Sequence, residues 1–107
     1  MSIRFVYITA SSEEEAERIG RKIVEHRLAA CANIVKSIRS FYWWEGAVQE
    51  DNEAVLILKT RQELMEELIE KVRSLHSYDV PCIVSLRVLE GNPEFLKWVE
   101  EETGLPK

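Results

Sequence analysis

The soft metal ligands of this 107-residue chain are two thiols and two imidazoles, Cys31, Cys82, His26 and His76. Thiolate and imidazole suit copper and zinc ions, but a tight site needs three or four such groups to converge. No Cys-x-x-Cys pair starts one. Cys31 follows Ala29 and Ala30 and leads into an apolar strand, where a buried structural thiol is the competing account. His76 ends a helical pattern, where an imidazolium would also meet the helix dipole favourably. Cys82 either pairs with Cys31 as a thiol or packs at the start of a strand. His26, between Glu25 and Arg27, reads as solvated.

A second group combines charge with rings: Tyr42, Trp44, Glu53, Lys59 and Tyr78. Lys59 lies in an apolar run, where a buried ammonium needs a carboxylate or another anionic partner. A cleft holding an ammonium, a carboxylate and phenol hydroxyls suits a small anionic or zwitterionic molecule. An interface ion pair with aromatic packing accounts for the same residues. Glu45, Glu50, Asp51 and Glu53 form an acidic cluster. Such a cluster suits weakly held hydrated divalent ions, or a charged strand edge that resists mispairing. There is no phosphate-cradling glycine loop, no Gly-x-Gly-x-x-Gly and no Ser/His/Asp set, so neither an enzyme nor an organic cofactor is expected.

The elements that must position these residues follow from periodicity. Residues 3–10 are rich in Val, Ile, Phe and Tyr and read as a strand. Ser11-Ser12 with Glu14 and Glu15 forms a capping box in either register. Ala16, Ile19, Ile23, Val24 and Leu28 then trace one apolar helix face. Residues 33–48 form a second β-rich stretch and 54–60 a third, with the polar Gln49-Glu50-Asp51-Asn52 between them suited to a hairpin loop. Thr60 and Glu63 form another capping box, followed by an apolar stripe from Leu64 to Leu75. Residues 82–89 make a fourth strand. Asn92-Pro93 caps a short third helix carrying Phe95, Leu96, Trp98 and Val99.

The order is βαββαβ with a terminal helix: an α+β, ferredoxin-like sandwich, expected as one domain over residues 1–107. Both main helices fall on one sheet face, so the opposite face needs another layer. The composition is 46% hydrophobic and 31% charged with a formal charge of −5. That acidic balance disfavours nucleic acid and anionic lipid as partners. No apolar run approaches the roughly 20 residues of a membrane span. No export signal precedes residue 3, and cytoplasm is the expected compartment.

As one extended element, residues 33–48 would span roughly 50 Å at about 3.3 Å each. A domain of this length measures only about 35 Å across. The hairpin is therefore expected to overhang its own domain, unless Gly46 bends or bulges it back. The overhang carries Phe41-Tyr42-Trp43-Trp44, an aggregation hazard on a lone copy. Pairing with neighbouring copies in closed symmetry would bury them.

Several strings also carry a resemblance: 27–34 (RLAACANI), 40–46 (SFYWWEG), 58–60 (LKT), 76–81 (HSYDVP), and Gly91-Asn92 followed by Phe95-Leu96-Lys97-Trp98. On these the chain resembles the CutA divalent-cation-tolerance family over essentially its whole length. The resemblance implies a homotrimer of ferredoxin-like subunits that share their 33–60 hairpins, with an architecture related to the PII signalling proteins. It also implies a link to divalent-metal tolerance and copper binding, with Cys31 and His76 as the ligand positions and no established reaction. Ser77 departs from the family pattern, which has proline there, and Cys82 from an acidic residue.

Overall fold

The computed structural model describes residues 2–104. Within β1 (Ile3–Ala10), Val6, Ile8 and Ala10 alternate toward the helices, and Ala54, Leu56 and Leu58 do the same in β3 (Ala47–Arg61). They close one core with Ala16, Ile19 and Ile23 of α1 (Glu13–Glu25) and with Leu68 and Val72 of α2 (Met65–Leu75). Adding β2 (Cys31–Trp44), β4 (Ile83–Arg87) and α3 (Pro93–Glu101) gives a four-stranded sheet of order β2-β3-β1-β4. Every neighbouring pair is antiparallel. This is the ferredoxin-like α+β arrangement expected.

α1 lies close on the sheet at Gly20, where a Cβ would come 2.8 Å from a Leu56 methyl. The opposite face is only partly covered. At one end Arg61 reaches Thr103 beyond α3, its Nε donating to Oγ1 at 2.9 Å. Along that face Val84 and Leu86, opposite Tyr7 and Phe5, stay 51% and 58% exposed.

The hairpin is as long as expected but turns elsewhere. Glu45 and Gly46, with φ of 51° and 80°, join Trp44 directly to Ala47. Positive φ at both positions is the two-residue turn that matches strand twist. Gln49 to Asn52, expected as the loop, are instead strand residues paired with Tyr42 back to Arg39. Their charges have cross-strand partners: Arg39 pairs with Glu50, and the Tyr42 hydroxyl donates to Asp51. Only Ala54–Arg61 of β3 pairs with β1, so residues 47–53 project about 23 Å beyond it at ~3.3 Å per residue. The molecule measures 47 × 26 × 22 Å along its principal axes.

The irregularity expected at Gly46 lies in β2. Val35 is opposite Val55 but Ile38 is opposite Glu53, so β2 carries one extra residue between them. Such a bulge inverts side-chain alternation beyond it. Ile38, Ser40, Tyr42 and Trp44 consequently share the face of Glu53, away from α1 and α2. The Thr60 capping box is also corrected: Thr60 is buried at the end of β3, where its hydroxyl donates to the Leu28 carbonyl at 2.6 Å. A 3-10 turn over Gln62–Leu64 leads into α2 with no side-chain cap.

Candidate functional site

Beyond the bulge, the hairpin and the segment after α2 enclose a cavity of about 460 Å³. Tyr42, Trp44, Glu53, Tyr78, Asp79 and Cys82 are among the residues that line it, and no Lys, Arg or His does so among the described residues. Four of the five residues grouped from sequence thus meet in one place. Lys59 does not join them. It lies opposite Cys31, and its ammonium donates to the side-chain oxygen of Asn33.

A hydrogen-bonded scaffold holds the 76–82 segment against the sheet. Ser12 caps α1, its hydroxyl accepting from the Glu15 N–H at 3.1 Å. One Glu15 carboxylate oxygen accepts from the Ser11 N–H and hydroxyl at 2.9 and 2.8 Å. The other accepts from the Ser77 N–H at 2.8 Å. Burial works to raise the Glu15 pKa, but the hydrogen bonds from Ser11 and Ser77 outweigh it and hold the value at about 2.

His76 follows. Its Nδ1 accepts from the Tyr78 N–H at 3.0 Å, so the ring proton sits on Nε2, which donates to the Thr9 carbonyl at 2.8 Å. The side chain has no exposed surface. Tyr78 then packs its ring 4.8 Å from that of His76 and donates its hydroxyl to Glu53 at 2.8 Å. Burial and the bond to Glu53 raise its phenol pKa well above the usual 10. The Tyr42 phenol is raised as well, chiefly by its hydrogen bond to Asp51.

The expected metal ligands are placed differently. Cys31, a half-buried free thiol at the start of β2, lines a groove of about 600 Å³ beside α1 with Glu14, Glu17, Arg18 and Arg21. His76 is not among that groove's residues, and both of its ring nitrogens are engaged. Among the described residues no three His, Cys, Asp or Glu side chains are grouped to hold an ion. A closed copper site therefore does not fit within one copy of the chain. Each member of the acidic cluster on the strands has its own partner: Glu50 has Arg39, Asp51 has Tyr42 and Glu53 has Tyr78. Exposed His26 bonds the Lys22 carbonyl through Nδ1 at 2.8 Å.

Sequence reasoning missed Asp79 as a lining residue and Glu15 as an anchor. The Ser-Ser-Glu-Glu string marked a cap, but nothing local pointed to Ser77.

A family model for CutA1 divalent ion tolerance proteins matches residues 4–102. The divalent-cation tolerance protein CutA of Thermus thermophilus is 50% identical over 99 residues, covering 92% of this chain and 96% of that protein. Its counterpart in Pyrococcus horikoshii is 48% identical over 98 residues, covering 92% and 95%. Among solved structures, the divalent cation tolerance protein (Cut A1) of Thermus thermophilus superposes with a TM-score of 0.93 at 48% identity, covering 95% of this chain and 99% of that one. CutA1 of Oryza sativa gives 0.94 at 42% identity, covering 97% and 95%.

Proposed function

The chain belongs to the CutA1 divalent ion tolerance family, and on that premise we propose that it serves divalent-cation tolerance as a self-associating binding or regulatory protein. Our reading is a cytoplasmic homotrimer without turnover of its own. The observation that carries it is the projecting hairpin, on which Phe41 and Trp43 are 65% and 75% exposed. An isolated two-stranded ribbon is marginal in water, and exposed rings of that number favour association. The half-open sheet face around Val84 and Leu86 supplies further apolar surface to bury. Light scattering of the purified chain tests this: a trimer mass at micromolar concentration is expected, and a monomer overturns it. Trp43→Ser is expected to lower the mass without unfolding the subunit, since Trp43 lies outside its core.

Copper, in this reading, is held between copies, with the Cys31 thiolate as the soft ligand. His76 can join it only by giving up its bond to Tyr78 N–H or to the Thr9 carbonyl. Copper titration of the Cys31→Ser and His76→Ala variants separates the two contributions. Affinity equal to the parent in both removes these residues from the metal account.

The cavity supports a second reading, a small-molecule sensor of PII-like architecture. Rings and carboxylates converge in it.

A further inference from the structure

We propose that the cavity between the hairpin and residues 78–82 takes an organic cation, a compact ammonium of the alkylated kind, rather than an anion. This rests on the reading of the chain as a binding protein, though not on its number of subunits.

The lining determines the sign of the ligand. Glu53 and Asp79 contribute carboxylates, and no basic side chain among the described residues lines the space to offset them. An anion would need a positive charge, yet the lining hydroxyls of Thr9 and Ser40 are neutral and the two phenols already donate, Tyr78 to Glu53 and Tyr42 to Asp51. Both bonds occupy the phenol hydrogens and leave the negative charge on the carboxylates. Lys59, which alone favoured an anion, lies elsewhere.

The rings determine the kind of cation. Tyr42, Trp44 and Tyr78 all line the space, and aromatic faces attract a cation within about 6 Å of the ring centre. A small hard ion gains little from rings and needs several oxygen ligands at once. Two carboxylates are too few, and no group of three ligands forms among the described residues. A weakly hydrated ammonium with methyl or methylene groups uses both features, with its charge toward Glu53 and Asp79 and its carbons against the rings. The bulge between Val35 and Ile38 makes this possible, since it turns Tyr42 and Trp44 to the Glu53 face.

The test titrates tetramethylammonium chloride into the full chain at matched ionic strength, following the backbone amides of Tyr78, Asp79, Val80 and Cys82 by NMR. tert-Butanol serves as the neutral isostere and acetate as the anion. Saturable shifts are expected with tetramethylammonium, with tert-butanol at least about tenfold weaker and acetate without effect. Trp44→Leu and Glu53→Gln should each weaken binding by about tenfold. Trp44 is half exposed, and the amide introduced by Glu53→Gln keeps an oxygen for the Tyr78 hydroxyl, so both variants should fold. No saturable shift, or tert-butanol or acetate binding as tightly, overturns the proposal. So does loss with Glu53→Gln alone, which would mark a carboxylate site indifferent to the rings. Light scattering on the same samples keeps the two readings apart. A trimer that ignores tetramethylammonium sinks this inference only, and a monomer that binds it sinks the assembly only.

Discussion

Tyr78 donates its phenolic hydrogen to Glu53 at 2.8 Å, tying the segment after α2 to the hairpin. The neutral phenol is the form this bond stabilises, so its pKa is raised above 10, as burial also requires. A raised folded value means that the contribution is complete below about pH 10 and is lost as pH climbs through the folded pKa. Tyr78→Phe is expected to cost about 1–2 kcal/mol at neutral pH. It should also remove a late-titrating phenol from the alkaline absorbance curve. Loss instead of a phenol that titrates near the ordinary value of about 10 would show that Glu53 does not hold it.

Glu15 titrates in the opposite direction. Its folded pKa of about 2 lies below the ordinary carboxylate value near 4.5. Its stabilisation is therefore complete above about pH 5 and disappears as pH falls toward 2. The shift corresponds to on the order of 3 kcal/mol. Urea midpoints for the parent should decline steeply between pH 5 and pH 2, and Glu15→Gln should flatten that decline while lowering the midpoint at pH 7. An acid limb unchanged in the variant would assign the decline to other carboxylates.

Much of this architecture can be read directly from the chain because its signals are local. The three- and four-residue apolar spacing gives α1 and α2, and alternating Val, Leu and Ile give the strands. Phe41 to Trp44 mark a ribbon too apolar for solvent. What escaped depends on partners distant in sequence. Residues 49–52 look like a loop until Arg39 and Tyr42 are placed against Glu50 and Asp51. Lys59 looks like a cavity residue until strand register sets it opposite Cys31. The bulge has no composition of its own, yet it decides which two of four aromatic residues face Glu53. His76 reads as a free imidazole until its bonds to Tyr78 and Thr9 are placed.

Ser77 gives the N–H that one Glu15 carboxylate oxygen accepts. Proline has no N–H to give. His76 has φ −83° and ψ 143°, a conformation compatible with a following proline, so Ser77→Pro should fold. Restricting the unfolded chain would stabilise it by roughly 0.4–1 kcal/mol. Losing a hydrogen bond to a carboxylate costs about 1.5–3 kcal/mol. The bond outweighs the entropy, and a net loss of about 1 kcal/mol is expected by thermal unfolding at pH 7. The acid limb should move upward, because Glu15 loses one of the donors that depress its pKa. A Ser77→Pro variant more stable than the parent, with its acid limb unmoved, would remove this bond from the account.

Deleting Ser37 is the sharpest test of the bulge. The deletion removes the extra residue between Val35 and Ile38 and leaves plain alternation, with Ile38 still opposite Glu53 and Tyr42 and Trp44 still on its face. The core remains, because Ala32 and Ile34 lie before the irregularity and keep their places opposite Leu58 and Leu56. Circular dichroism should therefore stay close to the parent. Tyr42 stays beside Asp51 and Trp44 stays in the cavity lining, so tetramethylammonium binding should remain close to that of the parent. The mass by light scattering should hold too, since the same rings are offered to neighbouring copies. Loss of both by a folded deletion variant would mean that the bulge itself, and not the face on which these aromatics lie, carries the two roles.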